Sequence, residues 1–307
     1  MHLINRYWMV LGLTIGLALS PVNAAQAQSL ASDSTSVPSD SANATHPAHH
    51  PVYRMNYWVD LPIIAVGAAG GFLFIAKPKS NITDAQLAAL NPNNVPSFDR
   101  IALHQNMSLV PQWDKYASAG QIIGAAMPLA LLLDPDVRPD WLPVLTLGLE
   151  VNMVTLAIYS LSPIGPRFID RYRPLDYYPA SVAKANGINQ NDGFGKDGFY
   201  SGHVASVAAS SFFMAKVYSD YHPDANPYVV YGLASIPPLA MGVIRFMTLD
   251  HFPSDIAVGF AVGTICGVVI PQLHRIGGDG LSMGAYSSPT MGTGLTLAWT
   301  PPVMAEK

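Results

Sequence analysis

Two histidines and a carboxylate stand at spacings that suit nucleophilic and acid–base chemistry. Ser201-Gly202-His203 opens one apolar run of the chain, and His251 precedes Asp255 by four residues at the opening of another. Histidine forms covalent intermediates with transferred groups, so His203 is a candidate nucleophile that would carry a phosphohistidine. A carboxylate beside a histidine fixes its tautomer, which makes His251 a candidate general acid and base with Asp255 as its partner.

Arginines in the same parts of the chain suit an anionic substrate, because the guanidinium is a planar, permanently charged fork of donors that matches phosphate oxygens. The candidate phosphate ligands are Arg167, Arg171, Arg173 and Arg245. A helix that begins near Ser201 would add free backbone N–H groups, and Gly202 would let a phosphate approach closely. Taken singly, each arginine is more simply an interfacial anchor, and Ser-Gly-His a helix cap.

Apolar runs of near-membrane length must position these residues, since about 30 Å of hydrocarbon is crossed at 1.5 Å per helical residue. The runs are Tyr57–Ala76, Ala117–Leu133, Trp141–Leu161, Ser201–Val217, Tyr228–Ile244 and Ser254–Leu273. Only 12% of the 307 residues are charged and 50% are hydrophobic, which favours lipid-facing surface over a soluble domain. The sequence therefore predicts an all-α, six-helix transmembrane bundle.

Antiparallel crossings would bring the candidate residues to one membrane face. This face would contain the end of the third run, the start of the fourth, the end of the fifth and the start of the sixth. Ionisable groups at the mouths of spans are costly, so a functional site with its catalytic loops on one face is the default interpretation.

Three further features predict how the helices pack. Gly259, Gly263 and Gly267 recur at every fourth residue, which lets two backbones approach closely. Pro237-Pro238 should kink the fifth run. Glu150, midway along the third run, should be protonated, bonded to a neighbour or facing water, and a structural role is favoured over a proton relay.

Joined together, Arg173-Pro174, Ser201-Gly202-His203 and Arg245-x5-His251-x3-Asp255 resemble the three-part motif of the type 2 phosphatidic acid phosphatase family. Its superfamily includes bacterial acid phosphatases and vanadium haloperoxidases. The resemblance runs from about residue 55 to 273 and implies a helical fold with cofactor-free and metal-free phosphate transfer. By position it implies His203 as the nucleophile and His251 with Asp255 as the acid and base. The implied phosphate ligands are Arg173, Arg245, Ser201 and Gly202.

The chain departs from that family pattern at three positions. Pro166 stands where the first part of the motif has lysine, with Arg167 next door and Lys196 as a more distant substitute. Tyr200 replaces the usual proline, and Ile244 the usual serine. These changes spare the nucleophile and the acid–base residues but leave the details of phosphate binding, and hence the substrate, open.

The combined features predict hydrolysis of a phosphomonoester or diphosphate on a lipid-type substrate in the bilayer. A lipid phosphotransferase and a non-catalytic lipid-binding membrane protein on the same scaffold are the alternatives, and a haloperoxidase would need vanadate held permanently. The net charge of −4 gives no reason to expect a nucleic-acid partner, and the single cysteine, Cys266, excludes an internal disulfide. The oligomeric state is left open.

The ends of the chain lie outside the predicted bundle at 53–275. Residues 1–27 have the layout of a signal peptide, and residues 28–52 that of a flexible linker. In the Gly/Ser/Thr-rich tail at 276–307, a disordered segment is favoured over a short strand at Leu295–Trp299. We expect an integral protein of a bacterial cell envelope, in the inner membrane. An exported N-terminus would place the site in the cytoplasm, whereas members of the resembled family usually face outward.

Overall fold

The apolar runs fold into a helical bundle in the computed structural model, which describes residues 51–191, 194–276, 280–288 and 292–300. The predicted signal peptide and nearly all of the predicted linker lie outside the described residues. The α-helices are α1 (Tyr57–Ala76), α2 (Asp84–Ala88), α3 (Val110–Ala126), α4 (Trp141–Leu161), α5 (Ala180–Ala185), α6 (Gly202–Tyr221), α7 (Pro227–Ala234), α8 (Ile236–Met247) and α9 (Pro253–His274). Short 3-10 helices lie at Pro92–Asn94, Arg100–His104, Met107–Leu109, Met127–Leu133, Arg138–Asp140 and Pro174–Tyr177.

Within the described residues, five helical segments are long and apolar enough to span a membrane. They are Tyr57–Ala76, Met107–Leu133, Arg138–Leu161, Pro227–Met247 and Pro253–His274. Large apolar side chains such as Trp58, Ile123, Leu233 and Ile265 are exposed on these segments. Exposed apolar surface on helices of this length indicates an integral membrane protein, as the sequence predicted.

The fourth predicted run forms helix α6, which is not one of those five segments. It packs against α3, α4, α7, α8 and α9, and most of its residues are buried. A helix enclosed by other helices needs no lipid-facing apolar surface, so it can carry Ser206, Ser210 and Ser211 among its alanines. It forms the centre of the bundle and carries His203 in its first turn.

The predicted glycine stripe brings α9 into backbone contact with α6. Gly259, Gly263 and Gly267 lie in turn against the carbonyl groups of Ser201, Ala205 and Ala209. A Cβ atom at Gly267 would lie 2.6 Å from the Ala209 oxygen, and at the other two glycines it would lie closer still. The Ser201 N–H also donates to the Asp255 carbonyl at 3.1 Å. The first turns of α6 and α9 are thereby held together.

The fifth predicted run is divided where its prolines begin. Helix α7 ends at Ala234, Ser235 separates the two helices, and Pro237 and Pro238 lie in the first turn of α8. Proline is tolerated there because those N–H groups have no intrahelical partner. The helix is thus interrupted at Ser235, directly before the prolines at which the sequence predicted a kink.

The tail after α9 contains two antiparallel strands, β1 (Gly280–Ser288) and β2 (Gly292–Thr300). Their register pairs Gly280 with Thr300 and Ser288 with Gly292. This corrects the expectation of a disordered tail. The weak alternation at Leu295–Trp299 belongs to β2, and pairing with β1 satisfies its backbone groups.

Candidate active site

The long loop between α4 and α6 is held in place by a short parallel bridge between Arg171 and Asp197. The Arg171 N–H donates to the Lys196 carbonyl at 3.0 Å, and the Gly198 N–H donates to the Arg171 carbonyl at 2.9 Å. The bridge sets the position of the Gly198 carbonyl beside His251.

The ring of His251 is oriented by that carbonyl. Its Nδ1 lies 2.7 Å from the Gly198 oxygen. A carbonyl only accepts hydrogen bonds, so Nδ1 carries the hydrogen and Nε2 the lone pair of the neutral ring. Burial lowers the pKa of His251 to about 3; Arg245 adds to this effect, and Asp250 opposes it. His251 is therefore neutral at pH 7.

Asp255 does not take its predicted place beside His251. Helix α9 begins at Pro253, so His251 lies outside it and Asp255 lies in its first turn. The Asp255 Oδ2 accepts from the Phe252 N–H at 2.8 Å, and its Oδ1 lies 3.1 Å from Arg171 Nε. The predicted pairing of Asp255 with His251 is therefore wrong. The Asp255 carboxylate caps the start of α9 and faces Arg171, and the tautomer of His251 is fixed by a backbone carbonyl instead.

Arg173 and Arg245 meet at one carboxylate, that of Asp250. Arg173 Nη1 lies 3.0 Å from Oδ1, and Arg245 Nη2 lies 2.9 Å from Oδ2. Burial alone would raise the pKa of Asp250, but the charges of Arg245 and Arg173 outweigh it and hold that pKa well below its usual range. The ionised carboxylate aligns the two guanidinium groups. The sequence interpretation missed Asp250, although its place directly before His251 was an available signal.

The start of α6 lies beside these arginines. His203 is close enough to Arg245, His251 and Arg173 to interact with their charges. The Ser201 hydroxyl and the Arg245 Nε are buried and have no hydrogen-bond partner among the described residues. Buried donors next to a helix N-terminus suit an anion.

Gly202 is the other predicted phosphate ligand at this helix start. It packs against the ring of Tyr159, and a Cβ atom there would lie 2.9 Å from that ring. A larger residue would therefore push the first turn of α6 away from Tyr159, so glycine keeps this turn in its place.

The other two candidate arginines are placed differently. Arg171 Nη2 lies 2.6 Å from Asp99 Oδ2 and 2.9 Å from Ser254 Oγ, and its guanidinium lies 5.0 Å from the centre of the Phe252 ring. With the ion pair to Asp255, these contacts tie the loop to α9, and the expectation that Arg171 also binds phosphate stays a prediction. Arg167 is exposed and, among the described residues, makes no ion pair with this cluster.

A lysine that the sequence interpretation did not assign to the site lies at its edge. Lys79 Nζ donates to the Ile169 carbonyl at 2.9 Å and lies 2.6 Å from Asp170 Oδ1 and 3.4 Å from Asp197 Oδ1. Burial raises the pKa of Asp197 to about 6, and the charges of Lys79 and Arg173 limit that rise. Lys79 anchors the loop from the segment after α1.

Lowering the pH should cost the wild type more stability than a His251→Gln variant. His251 has a lower pKa in the folded protein, about 3, than the ordinary histidine pKa of 6.5 that it has in the unfolded chain. Its contribution to the free energy of unfolding is therefore complete above pH 6.5 and is lost as the pH falls from 6.5 towards about 3. At pH 5 the difference should reach on the order of 2 kcal/mol, or roughly 5 °C in the thermal unfolding midpoint. Asp197, whose pKa is raised, makes the fold more stable as the pH falls. It does so equally in the wild type and the variant, so its contribution cancels in the difference between them. Midpoints measured in detergent from pH 8 to pH 5 test this; parallel curves would contradict a neutral His251.

Comparison with protein-family models matches residues 141–277 to the family described as the PAP2 superfamily. The matched region runs from the start of α4 to just beyond α9 and contains the arginine, serine and histidine residues of the cluster. No curated protein and no solved structure matches the chain.

Proposed function

We infer from the match over residues 141–277 that the chain is a member of the PAP2 superfamily, and this membership favours phosphatase-type activity on phosphate esters. From this premise we propose that it hydrolyses a phosphomonoester or diphosphate on a lipid-type substrate, through a phosphohistidine intermediate and without a catalytic metal.

The observation that carries the proposal is the convergence of Arg173 and Arg245 beside two histidines. Both guanidinium groups are fixed by Asp250, at 3.0 and 2.9 Å, and Asp250 is almost completely buried. Such a pair can grip a phosphate from two sides, and guanidinium donors are strongest where water is excluded. The start of α6, where His203 lies within reach of the charges of both arginines, would supply further donors to the phosphate.

The orientation of His251 favours an exchange of the two histidine roles expected from the sequence. Its neutral ring presents the Nε2 lone pair, which would attack phosphorus, while Nδ1 stays bonded to the Gly198 carbonyl. Burial lowers the pKa of His203, but the negative charges of a bound phosphate would raise it again and keep the ring protonated. As the P–O bond to the leaving group breaks, the protonated His203 gives its proton to the departing oxygen. His203 then takes a proton from water, which attacks the phosphohistidine and releases inorganic phosphate.

Exposed apolar side chains on the loops around the site support a lipid-type substrate. Phe98 and Ile101 flank Asp99, which is bonded to Arg171 and to α9. Ile164 and Phe168 are exposed on the loop that leads to the same arginine. Apolar residues at a membrane-facing rim would hold the acyl or isoprenyl part while the headgroup enters the site.

Phosphate release from the protein purified in detergent would test the proposal. The panel is phosphatidate, an isoprenyl diphosphate and a soluble phosphomonoester, each with EDTA and with or without vanadate. We expect release that survives EDTA, falls with vanadate and is faster with the lipids. Arg245→Ala should lower it by more than about tenfold, because a charged hydrogen bond is lost.

Arg138→Ala is the matched control, since Arg138 lies just before α4, at the other end of the bundle, and donates to the Leu132 carbonyl. It should leave phosphate release unchanged. No release from any member of the panel, or equal effects of the two arginine substitutions, would contradict the proposal.

A further inference from the structure

A second group of ionisable residues is buried at the end of the bundle away from His203 and His251. Asp60 lies in the first turn of α1, Glu150 midway along α4, and His274 at the end of α9. His274 Nε2 lies 3.4 Å from Asp60 Oδ1 and 3.4 Å from Glu150 Oε2. Asp60 and Glu150 are each only 3% exposed. The bundle thus brings three potential ligand atoms from distant parts of the chain within 4.8 Å of one another.

The hydrogen bonds around this cluster leave lone pairs directed inward. His274 Nδ1 lies 2.9 Å from the Ile270 carbonyl, so in the neutral ring Nδ1 carries the hydrogen and Nε2 faces the carboxylates as an acceptor. The Glu150 Oε2 has no hydrogen-bond partner among the described residues. Separations of 3.4 Å are long for a hydrogen bond, which normally spans 2.7–3.2 Å. If both buried carboxylates are ionised beside an acceptor nitrogen, they require a compensating positive charge.

The two separations of 3.4 Å from His274 Nε2 fit a metal ion bound by all three groups. Ligands about 2.0–2.1 Å from a tetrahedral zinc ion lie about 3.3 Å apart, and histidine nitrogen with carboxylate oxygen is a common ligand set for it. Hydrogen bonds to the other atoms of two of these side chains also suit a metal site. The Ile270 carbonyl fixes the tautomer of His274, and the Asn56 N–H donates to Asp60 Oδ2 at 2.6 Å. The side chain of His274 is 12% exposed, which gives the site a route to solvent.

We propose that Asp60, Glu150 and His274 bind a divalent transition-metal ion of the zinc class that ties α1, α4 and α9 together. The ion has a structural role and takes no part in phosphate transfer. This inference does not rest on the proposed function, and its test does not use phosphate release.

The test measures metal content and thermal stability of the full chain, purified in detergent with an affinity tag other than polyhistidine. We expect about one bound ion per chain, a lower unfolding midpoint after EDTA treatment, and recovery on the order of 5 °C when zinc chloride is added back. Glu150→Gln, which preserves shape, should weaken zinc binding by at least about tenfold and abolish the recovery.

Two control variants separate this site from other zinc ligands of the chain. Asp136→Asn alters an exposed aspartate near His222, and a double change of His49 and His50 to alanine removes part of a histidine-rich stretch. Both should retain the ion and the midpoint shift. A wild type with no bound ion and no zinc-dependent shift would overturn the proposal and leave a bound proton as what neutralises the cluster. Full zinc binding by Glu150→Gln would also overturn it.

Discussion

Replacing His251 with alanine should lower kcat/KM by at least about 10⁴-fold, and a better leaving group should not restore it. His203→Ala should behave differently. Loss of a general acid costs about 10²–10⁴-fold with a lipid alkoxide, which needs a proton as it departs. With p-nitrophenyl phosphate the departing oxygen needs no proton, so phosphoryl transfer to His251 should be nearly normal. The contrast follows from the bond between His251 Nδ1 and the Gly198 carbonyl, which leaves Nε2 free to attack.

Rapid quenching and peptide mapping of the phosphoenzyme separate the two assignments. The phosphoryl group should be found on His251, and it should accumulate in His203→Ala because no base activates water. His104→Ala is a suitable control, since His104 is exposed in a 3-10 helix. If the label maps to His203, or if p-nitrophenyl phosphate rescues His251→Ala instead, the roles first expected from the sequence would be correct.

The sequence could predict that the candidate residues lie at one end of the bundle, because this depends only on the alternating direction of successive helices. Apolar runs of fixed length alternate between the two ends of a bundle, so the start of α6, the end of α8 and the start of α9 must share one end. The bond from the Ser201 N–H to the Asp255 carbonyl joins α6 to α9, and the ion pair of Arg245 with Asp250 joins the end of α8 to the segment before α9.

The detailed partners could not be predicted, because they depend on the path of the loop between α4 and α6. Arg171 and Arg173 are the same residue type two positions apart, yet the bridge to Asp197 turns Arg171 towards Asp99 and Asp255. Spacing alone placed Asp255 beside His251, whereas the helix start one residue after Phe252 converts Asp255 into a cap. Irregular backbone has no periodicity from which such contacts can be inferred.

Glu150 shows the same limit in a helix. The cost of a carboxylate in the middle of a span predicted that it would have a partner or be neutralised. Which partner it has was not encoded nearby, because Asp60 and His274 come from α1 and α9. Composition therefore identifies residues that need explanation, and packing supplies the explanation.

Gly263→Ala should destabilise the protein by about 3 kcal/mol, because the new Cβ would be forced against the Ala205 carbonyl and lie 2.7 Å from the Ala208 Cβ. Backbone atoms cannot move aside as a flexible side chain can, so α9 must shift away from α6. That shift would strain the bond from the Ser201 N–H to the Asp255 carbonyl and separate His203 from His251. A displacement of about 1 Å can cost about 10²-fold in rate, so kcat/KM should fall on that order in protein that is still folded.

The matched control is Gly232→Ala on α7, where an added Cβ meets nothing within 4 Å. Alanine should there be neutral or stabilising by about 0.5–1 kcal/mol, because it restricts the unfolded chain and favours helix. Gly267→Ala, at 2.6 Å from the Ala209 carbonyl, should fall between the two in stability. Its activity should fall less than that of Gly263→Ala, because Gly267 lies one turn farther from the site. Thermal midpoints and kcat/KM for all three variants test this order. If Gly263→Ala behaved like Gly232→Ala, the glycine stripe would not be what sets the separation of the two histidines.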